Sequence, residues 1–503
     1  MADSSADSFI ERRWAWRSLL DLNPVLAKEV VVTARTPLYK GSIVVALLFL
    51  GVLIFAGFGA SRRMTIHGWA VDGVHLFPYF FTGLALILAT FGASLGSTVL
   101  VQERQGGGLD ALKFSSLAPR TIAVGKFAAV MLAEAAVVLC ASPLLMFVLS
   151  LGGVSLGQAA IGTTIAITAG AMAAALGIGV SAHAPNPSRS LLFSLLGTSA
   201  VGILVTIWLA LGSDLAHLDN PMGVVYAYAS AWTPRHTTLL IALPAFGVTT
   251  VLSFGYAITT SGLMDGSEDR SRPLKIWMWT VLAAGGAALL VGERSREDAT
   301  IVATLVMIAS GLLAIVLLLL FAGEPLSLTR RMRAHPAPSF LALLSPRRIA
   351  PSMLSTIVWT GAAMGMAVMV LPSTLPCALW AFGNLAAIGG VTGAAAARGG
   401  PTRGRIAGAV VLLVPLLFVA LFHDIERGSW VDTLCPLWVL GRGGLWLSSV
   451  CMPGAAVCEW EETRRAIDHG VLRESVWLWG SVALLSCGAM LLAAKQRKAV
   501  GST

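Results

Sequence analysis

The apolar residues of this chain do not recur at the intervals of a half-buried helix or strand; they come in long runs broken by short polar segments. Twelve runs are nearly free of charge, at 42–60, 76–99, 124–150, 157–181, 190–212, 238–262, 275–292, 300–321, 352–371, 375–397, 405–422 and 474–494. Because about 20 helical residues cross the hydrocarbon layer of a bilayer, each run predicts a spanning helix. The expected fold is therefore all-α, a polytopic integral membrane protein with about 12 transmembrane helices in the lipid bilayer. Runs one to six and seven to twelve cover almost equal lengths, which invites an internal repeat of two six-helix halves. The resulting domain plan is an N-terminal arm at 1–41, a six-span unit at 42–264, a polar, Pro-containing linker at 265–274, a second six-span unit at 275–494 and a basic tail at 495–503.

Composition agrees and removes whole classes. Of 503 residues, 56% are apolar and only 12% charged, with a mean hydropathy of +0.79, which excludes a soluble globular or a disordered chain. The net charge of +9 would point to nucleic acid only if it gathered on one solvated face. It is spread among loops instead, so no nucleic-acid partner is expected. With the N-terminus in the cytoplasm, 25 of the 35 Lys and Arg residues fall on the cytoplasmic side. The positive-inside rule then puts both termini in the cytoplasm and the chain in the cell (inner, cytoplasmic) membrane. The first 40 residues carry acids and arginines but no apolar core, so the first span, rather than a cleavable signal peptide, is expected to direct insertion. Six cysteines form no C-x-x-C pair, the histidines are scattered and no H-E-x-x-H occurs, so neither a metal site nor a catalytic residue is expected. Cys435, Cys451 and Cys458, in the expected outer loop, read best as small apolar residues of an interfacial segment.

Chemistry concentrates at two places near the N-terminus. The loop after the second run, Val101 to Lys126, reads VQERQGGGLDALKFSSLAPRTIAVGK. Gly106-Gly107-Gly108 supplies a permissive turn, Leu109 to Phe114 a short amphipathic stretch and Pro119 a stop, after which Gly125-Lys126 enters the third run. Upstream, Asn23-Pro24-Val25-Leu26-Ala27-Lys28-Glu29 has a good N-cap in Asn23 and a proline suited to the first helical position. Lys28 and Glu29 are expected to keep one face of that interfacial helix wet, with Arg35 following before the first span. A third feature is Glu134, about 15 Å into the third run at the helical rise. An ionisable group at that depth is a functional hypothesis by default, in a transport path or a buried pair; snorkelling to the surface or a hydrogen bond to a neighbouring span are the plainer readings.

The loop resembles the cytoplasmic loop of type-2 ATP-binding-cassette (ABC) transporter permeases, with Glu103, Arg104, Gly107, Leu109, Asp110, Leu112, Ser116, Pro119, Gly125 and Lys126 at matching positions and Gly108 where that family usually has threonine. The upstream segment resembles the helix that family lays along the inner membrane face, matched at Asn23, Pro24, Lys28, Glu29 and Arg35. The resemblance covers roughly residues 20–265 and is looser in the second half. It implies a permease subunit, most simply an exporter, that is not itself an enzyme. Glu103, Arg104, Gly107, Leu109, Asp110, Leu112, Pro119, Gly125 and Lys126 would form the loop that couples to a dimer of separate cytoplasmic ABC ATPase subunits. The chain has no G-x-x-x-x-G-K-[ST] of its own, so it is expected to bind no cofactor, with ATP and Mg held by the partner. Either the two halves of the chain face one another across the path, or a second permease chain pairs with the first.

Two other readings compete. An ion- or proton-coupled secondary transporter would also have twelve spans, but it predicts several ionisable residues at mid-membrane, where Glu134 is alone. A membrane-embedded lipid-linked transferase needs paired acids in a large outer loop; Glu459, Glu461 and Glu462 are mixed with Arg464 and Arg465 and read better as a solvated helix face.

Overall fold

The computed structural model describes residues 23–64, 73–109, 117–199, 243–264, 270–291 and 349–370, with single positions at 202, 306, 310, 311, 313, 314, 316–318, 321, 382 and 392. These residues are 92% helix and include no strand. Named in order, the helices are α1 (Pro24–Arg35), α2 (Pro37–Met64), α3 (Gly73–Gln105), α4 (Pro119–Ser150), α5 (Leu156–His183), α6 (187–199), α7 (Leu243–Leu263), α8 (Arg272–Val291) and α9 (Ile349–Val370). Four contain stretches long and apolar enough to cross a membrane: Tyr39–Phe58 of α2, Tyr79–Gln105 of α3, and the whole of α4 and α5. The chain is thus helical with the character of a membrane protein. Of the other expected spans, 190–212 is described only in its first half and 300–321 and 375–397 only at single positions, whereas 405–422 and 474–494 lie outside the described residues.

Local sequence sets the helix ends. Pro37 and Pro119 begin α2 and α4, where a missing N–H costs nothing. The turn from α4 to α5 uses Gly152 and Gly153 at φ +80° and +81°, a region open to residues without a Cβ. Ser155 then starts α5 with a reciprocal capping box to Gln158.

The chain divides into two compact units, Met1–Asp265 and Gly266–Thr503. In the first, α3 and α5 are the inner helices, while α2 and α4 show more of their apolar surface to the outside. Val45, Leu48, Val52 and Phe55 of α2, for instance, are exposed, as lipid-facing residues should be. Close approach of α3 and α5 requires glycine at Gly92 and Gly96. A Cβ at Gly92 would stand 2.7 Å from the Gly170 carbonyl oxygen, and one at Gly96 2.7 Å from that of Ala174. Where lipid is as apolar as leucine, such small-residue seams and interhelical hydrogen bonds hold helices together. Ser190 and Ser194 of α6 supply the bonds, donating to the carbonyls of Ser97 (2.7 Å) and Ala93 (3.0 Å) on α3. On the far side of α5, Gly255 and Gly262 of α7 close on Ala175 and Ala182. One end of this unit is filled by Phe77, Phe80, Phe81, Leu84 and Leu88 of α3 with Leu50 and Ile54 of α2 and Val137 of α4. In the second unit, α8 and α9 are tied by the buried Trp359, whose indole N–H donates to the Met278 carbonyl at 2.8 Å.

Candidate functional site

The two motif segments, far apart in sequence, meet at one point where α1, the end of α3 and the start of α4 converge. Asn23 makes the first join. Its Oδ1 accepts from the backbone N–H groups of Val25 (3.1 Å) and Leu26 (3.4 Å), capping α1, while its Nδ2 donates to the Thr121 carbonyl of α4 at 3.0 Å. Gly125 lets the two helices press this close, since a Cβ there would lie 2.8 Å from the Asn23 amide. Beneath the cap, Val25 packs in an apolar layer with Leu100, Leu109, Ile122 and Ala123, so α1 is pinned by one buried side chain while Val31 and Val32 stay exposed.

One turn along α1 lies an ionic chain of four side chains. Lys28 Nζ donates to Glu103 Oε1 at 2.9 Å, Lys126 Nζ stands 2.8 Å from Glu103 Oε2, and the same Nζ donates to Glu29 Oε1 at 2.9 Å. Two cations and two anions leave the cluster neutral. Lys126 is fully buried, whereas Lys28 remains more than half exposed. That difference sets their weight, because a buried ammonium stripped of its partners costs several kcal/mol, roughly 3–5, and an exposed pair contributes about 0–1 kcal/mol. The hydrogen bond to Glu103 raises the Lys28 ammonium above the ordinary lysine value against the opposing effect of its partial burial.

Arg104, next to Glu103, turns the other way. Its guanidinium donates to the carbonyls of Ala184 (2.7 Å) and Ala182 (2.5 Å), where α5 ends. A cation there satisfies the last carbonyls of the helix and opposes its negative dipole end. The dipeptide Glu103-Arg104 therefore binds α1 and α4 through its acid and α5 through its base. Beyond it the chain turns sharply at Gly107, whose φ of +73° only glycine adopts freely. Leu109 returns into the apolar layer, and residues 110–116, with Asp110, Leu112 and Ser116, lie outside the described residues.

Several positions differ from the sequence reading. Glu29 does not face water with Lys28 but pairs with Lys126, 97 residues away. Pro119 starts α4 at its first turn, so Gly125 and Lys126 sit inside the helix rather than at its entrance. Pro24 opens α1 as its spacing implied, and Arg35 occupies the last turn, exposed and apart from the cluster.

Glu134 lies eight residues beyond Lys126, ~12 Å further along α4. It is fully buried, and neither carboxyl oxygen has a hydrogen-bond partner among the described residues. Its carboxyl fills the seam between α3 and α5: a methyl at Gly92 would overlap Oε1 and one at Gly170 would overlap Oε2. It neither snorkels to the surface nor pairs with a neighbouring span among those residues. No group of three or more His, Cys, Asp and Glu side chains suited to a metal occurs among the described residues.

No protein-family model, curated protein or solved structure matches this chain.

Proposed function

We propose that this chain is the membrane-spanning permease subunit of an ATP-driven ABC transporter of the type-2 class, an exporter coupled to a dimer of separate cytoplasmic ATPase subunits. It crosses the cell membrane about twelve times with both termini in the cytoplasm, an orientation that the excess of Lys and Arg in the expected cytoplasmic loops supports. The observation that carries the reading is the convergence of the two motif segments on one neutral ionic cluster, Lys28–Glu103–Lys126–Glu29. A membrane subunit driven from the cytoplasm needs a rigid connection from the point that is pushed to the spans that move. Here the turn at Gly107 leads straight into α3, and Glu103 and Arg104 bind that end of α3 to α1, α4 and α5, so a push on the segment after Gly107 reaches four helices together. The exposed Val31 and Val32 on α1 suit a helix lying in the membrane interface.

Purification from native membranes, with mass spectrometry of what co-purifies, tests this reading. A stoichiometric ATPase bearing a Walker motif is expected with the wild type, reduced at least tenfold with Glu103→Ala or Asp110→Ala. A chain that purifies alone contradicts it and favours the second reading, an ion- or proton-coupled secondary transporter, for which Glu134, buried and without a hydrogen-bond partner among the described residues, speaks.

A further inference from the structure

We infer that Glu134 is a proton-binding site of the membrane interior, whose bound proton keeps the α3–α4–α5 seam closed and whose release requires that seam to part. Three observations combine. The side chain is fully buried, both its oxygens lack a hydrogen-bond donor among the described residues, and it is aimed into the close α3–α5 contact between Gly92 and Gly170. An ionised carboxylate in such surroundings would forfeit several kcal/mol of solvation with nothing in return, so a group of this kind takes up a proton instead.

The packing selects the ligand. With Gly92 against one oxygen and Gly170 against the other, the closed seam has no space for a hydrated or coordinated metal ion. The neighbours at this point of the seam, Leu88 and Gly92 of α3 and Gly170 and Ala174 of α5, carry no titratable or charged group. From α2, Tyr39 approaches the same turn of α4, but its hydroxyl donates to the Ala133 carbonyl at 3.1 Å and not to the acid. Lys126, the nearest cation along α4, is committed to Glu29 and Glu103. A proton is the one ligand that neutralises the acid without new space or new partners.

Loss of that proton leaves a bare carboxylate between two helix backbones, which is relieved when the seam admits water. The reaction is a simple dissociation: the O–H bond of the Glu134 carboxyl breaks, the proton passes to a water molecule entering the opened seam, and the electron pair stays on the carboxylate. The site is independent of the ionic cluster and of which transport reading holds.

Infrared spectroscopy of the full-length protein in lipid vesicles tests it directly. At neutral pH the wild type minus Glu134→Gln difference spectrum is expected to contain the C=O stretch of a protonated carboxyl that shifts in D2O, while the corresponding Glu103→Gln difference contains only carboxylate bands. Gly170→Ala, which displaces the carboxyl from the seam, is expected to convert the Glu134 signal to carboxylate at a pH at least one unit lower. If Glu134→Gln fails to fold, Glu134→Asp replaces it, and the protonated band should then shift in frequency rather than vanish. A difference spectrum showing only carboxylate bands for Glu134 at neutral pH overturns the inference, as does an unchanged titration in Gly170→Ala.

Discussion

Two acids on neighbouring helices of the first unit have opposite surroundings. Glu103, near the end of α3, has an ammonium against each oxygen, and Arg104 beside it is spent on the end of α5. Glu134, two turns deeper along α4 than Lys126, has none among the described residues and is seated between two glycines. In a low-dielectric interior an acid is tolerated either with its charge matched or with its charge removed. The first solution makes a rigid joint that holds whatever the pH near neutrality; the second makes a joint that a bound proton keeps closed and that parts when the proton leaves. Because Lys126 of the cluster and Glu134 stand ~12 Å apart along α4, a mechanical connection lies at one level of the unit and a titratable one at another.

The sharpest way to break this contrast is Lys126→Met. It leaves Glu29 and Glu103 without the cation they share, and it should cost roughly 3–5 kcal/mol of stability, read as loss of the monodisperse protein in detergent or a lowered unfolding midpoint. Next in size is Gly170→Ala, whose methyl meets the Glu134 carboxyl and Leu88; overpacking of this kind should cost about 1–3 kcal/mol in the same assay. Glu134→Gln keeps the shape of the protonated acid and should stay within about 1 kcal/mol of the wild type, since only a neutral group is exchanged for another. A loss comparable to that of Lys126→Met would mean that Glu134 is ionised and paired.

Smallest is Lys28→Ala, which removes the exposed end of the ionic chain and should cost under about 1 kcal/mol, less at high salt. Because the folded-state value of Lys28 is raised, its contribution is complete below the ordinary lysine value and is lost only as pH climbs through the raised one. The Lys28→Ala difference should therefore be flat in unfolding scans between about pH 6 and 9 and shrink only above about pH 10.5.

Particular residues show what was legible in the sequence. Asn23-Pro24 marked the start of α1 because a cap and a first-turn proline are local requirements, and the glycine run marked the turn at Gly107 for the same reason. The long uncharged runs announced α2 to α5 because the thickness of a bilayer fixes their length. What stayed hidden was pairing. Lys28 and Glu29 read as a wet face, since nothing local distinguishes a solvated glutamate from one that reaches Lys126 across 97 positions. Glu134 was conspicuous as an acid, yet its seat on Gly92 and Gly170 depends on how three helices stack, and a glycine in an apolar run carries no mark of the neighbour it admits. Pro119 was read as a stop because a proline both ends and begins helices; the start of α4 at that residue decides its role here.

The proposed function requires that the ionic cluster make α1 and the end of α3 move as one body under a partner ATPase. The most direct test is hydrogen exchange of the purified protein together with the ATPase that the proposed function assigns to it, with and without MgATP, comparing the wild type with the double variant Lys28→Gln/Glu29→Gln. That variant cuts both ionic ties of α1, keeps the net charge and leaves the Lys126–Glu103 pair in place. In the wild type, amides of Pro24–Arg35 and of Glu103–Leu109 should change together on nucleotide addition, and in the double variant only those of Glu103–Leu109 should respond. An α1 that is indifferent to nucleotide in the wild type, or that responds equally in the double variant, would contradict the account.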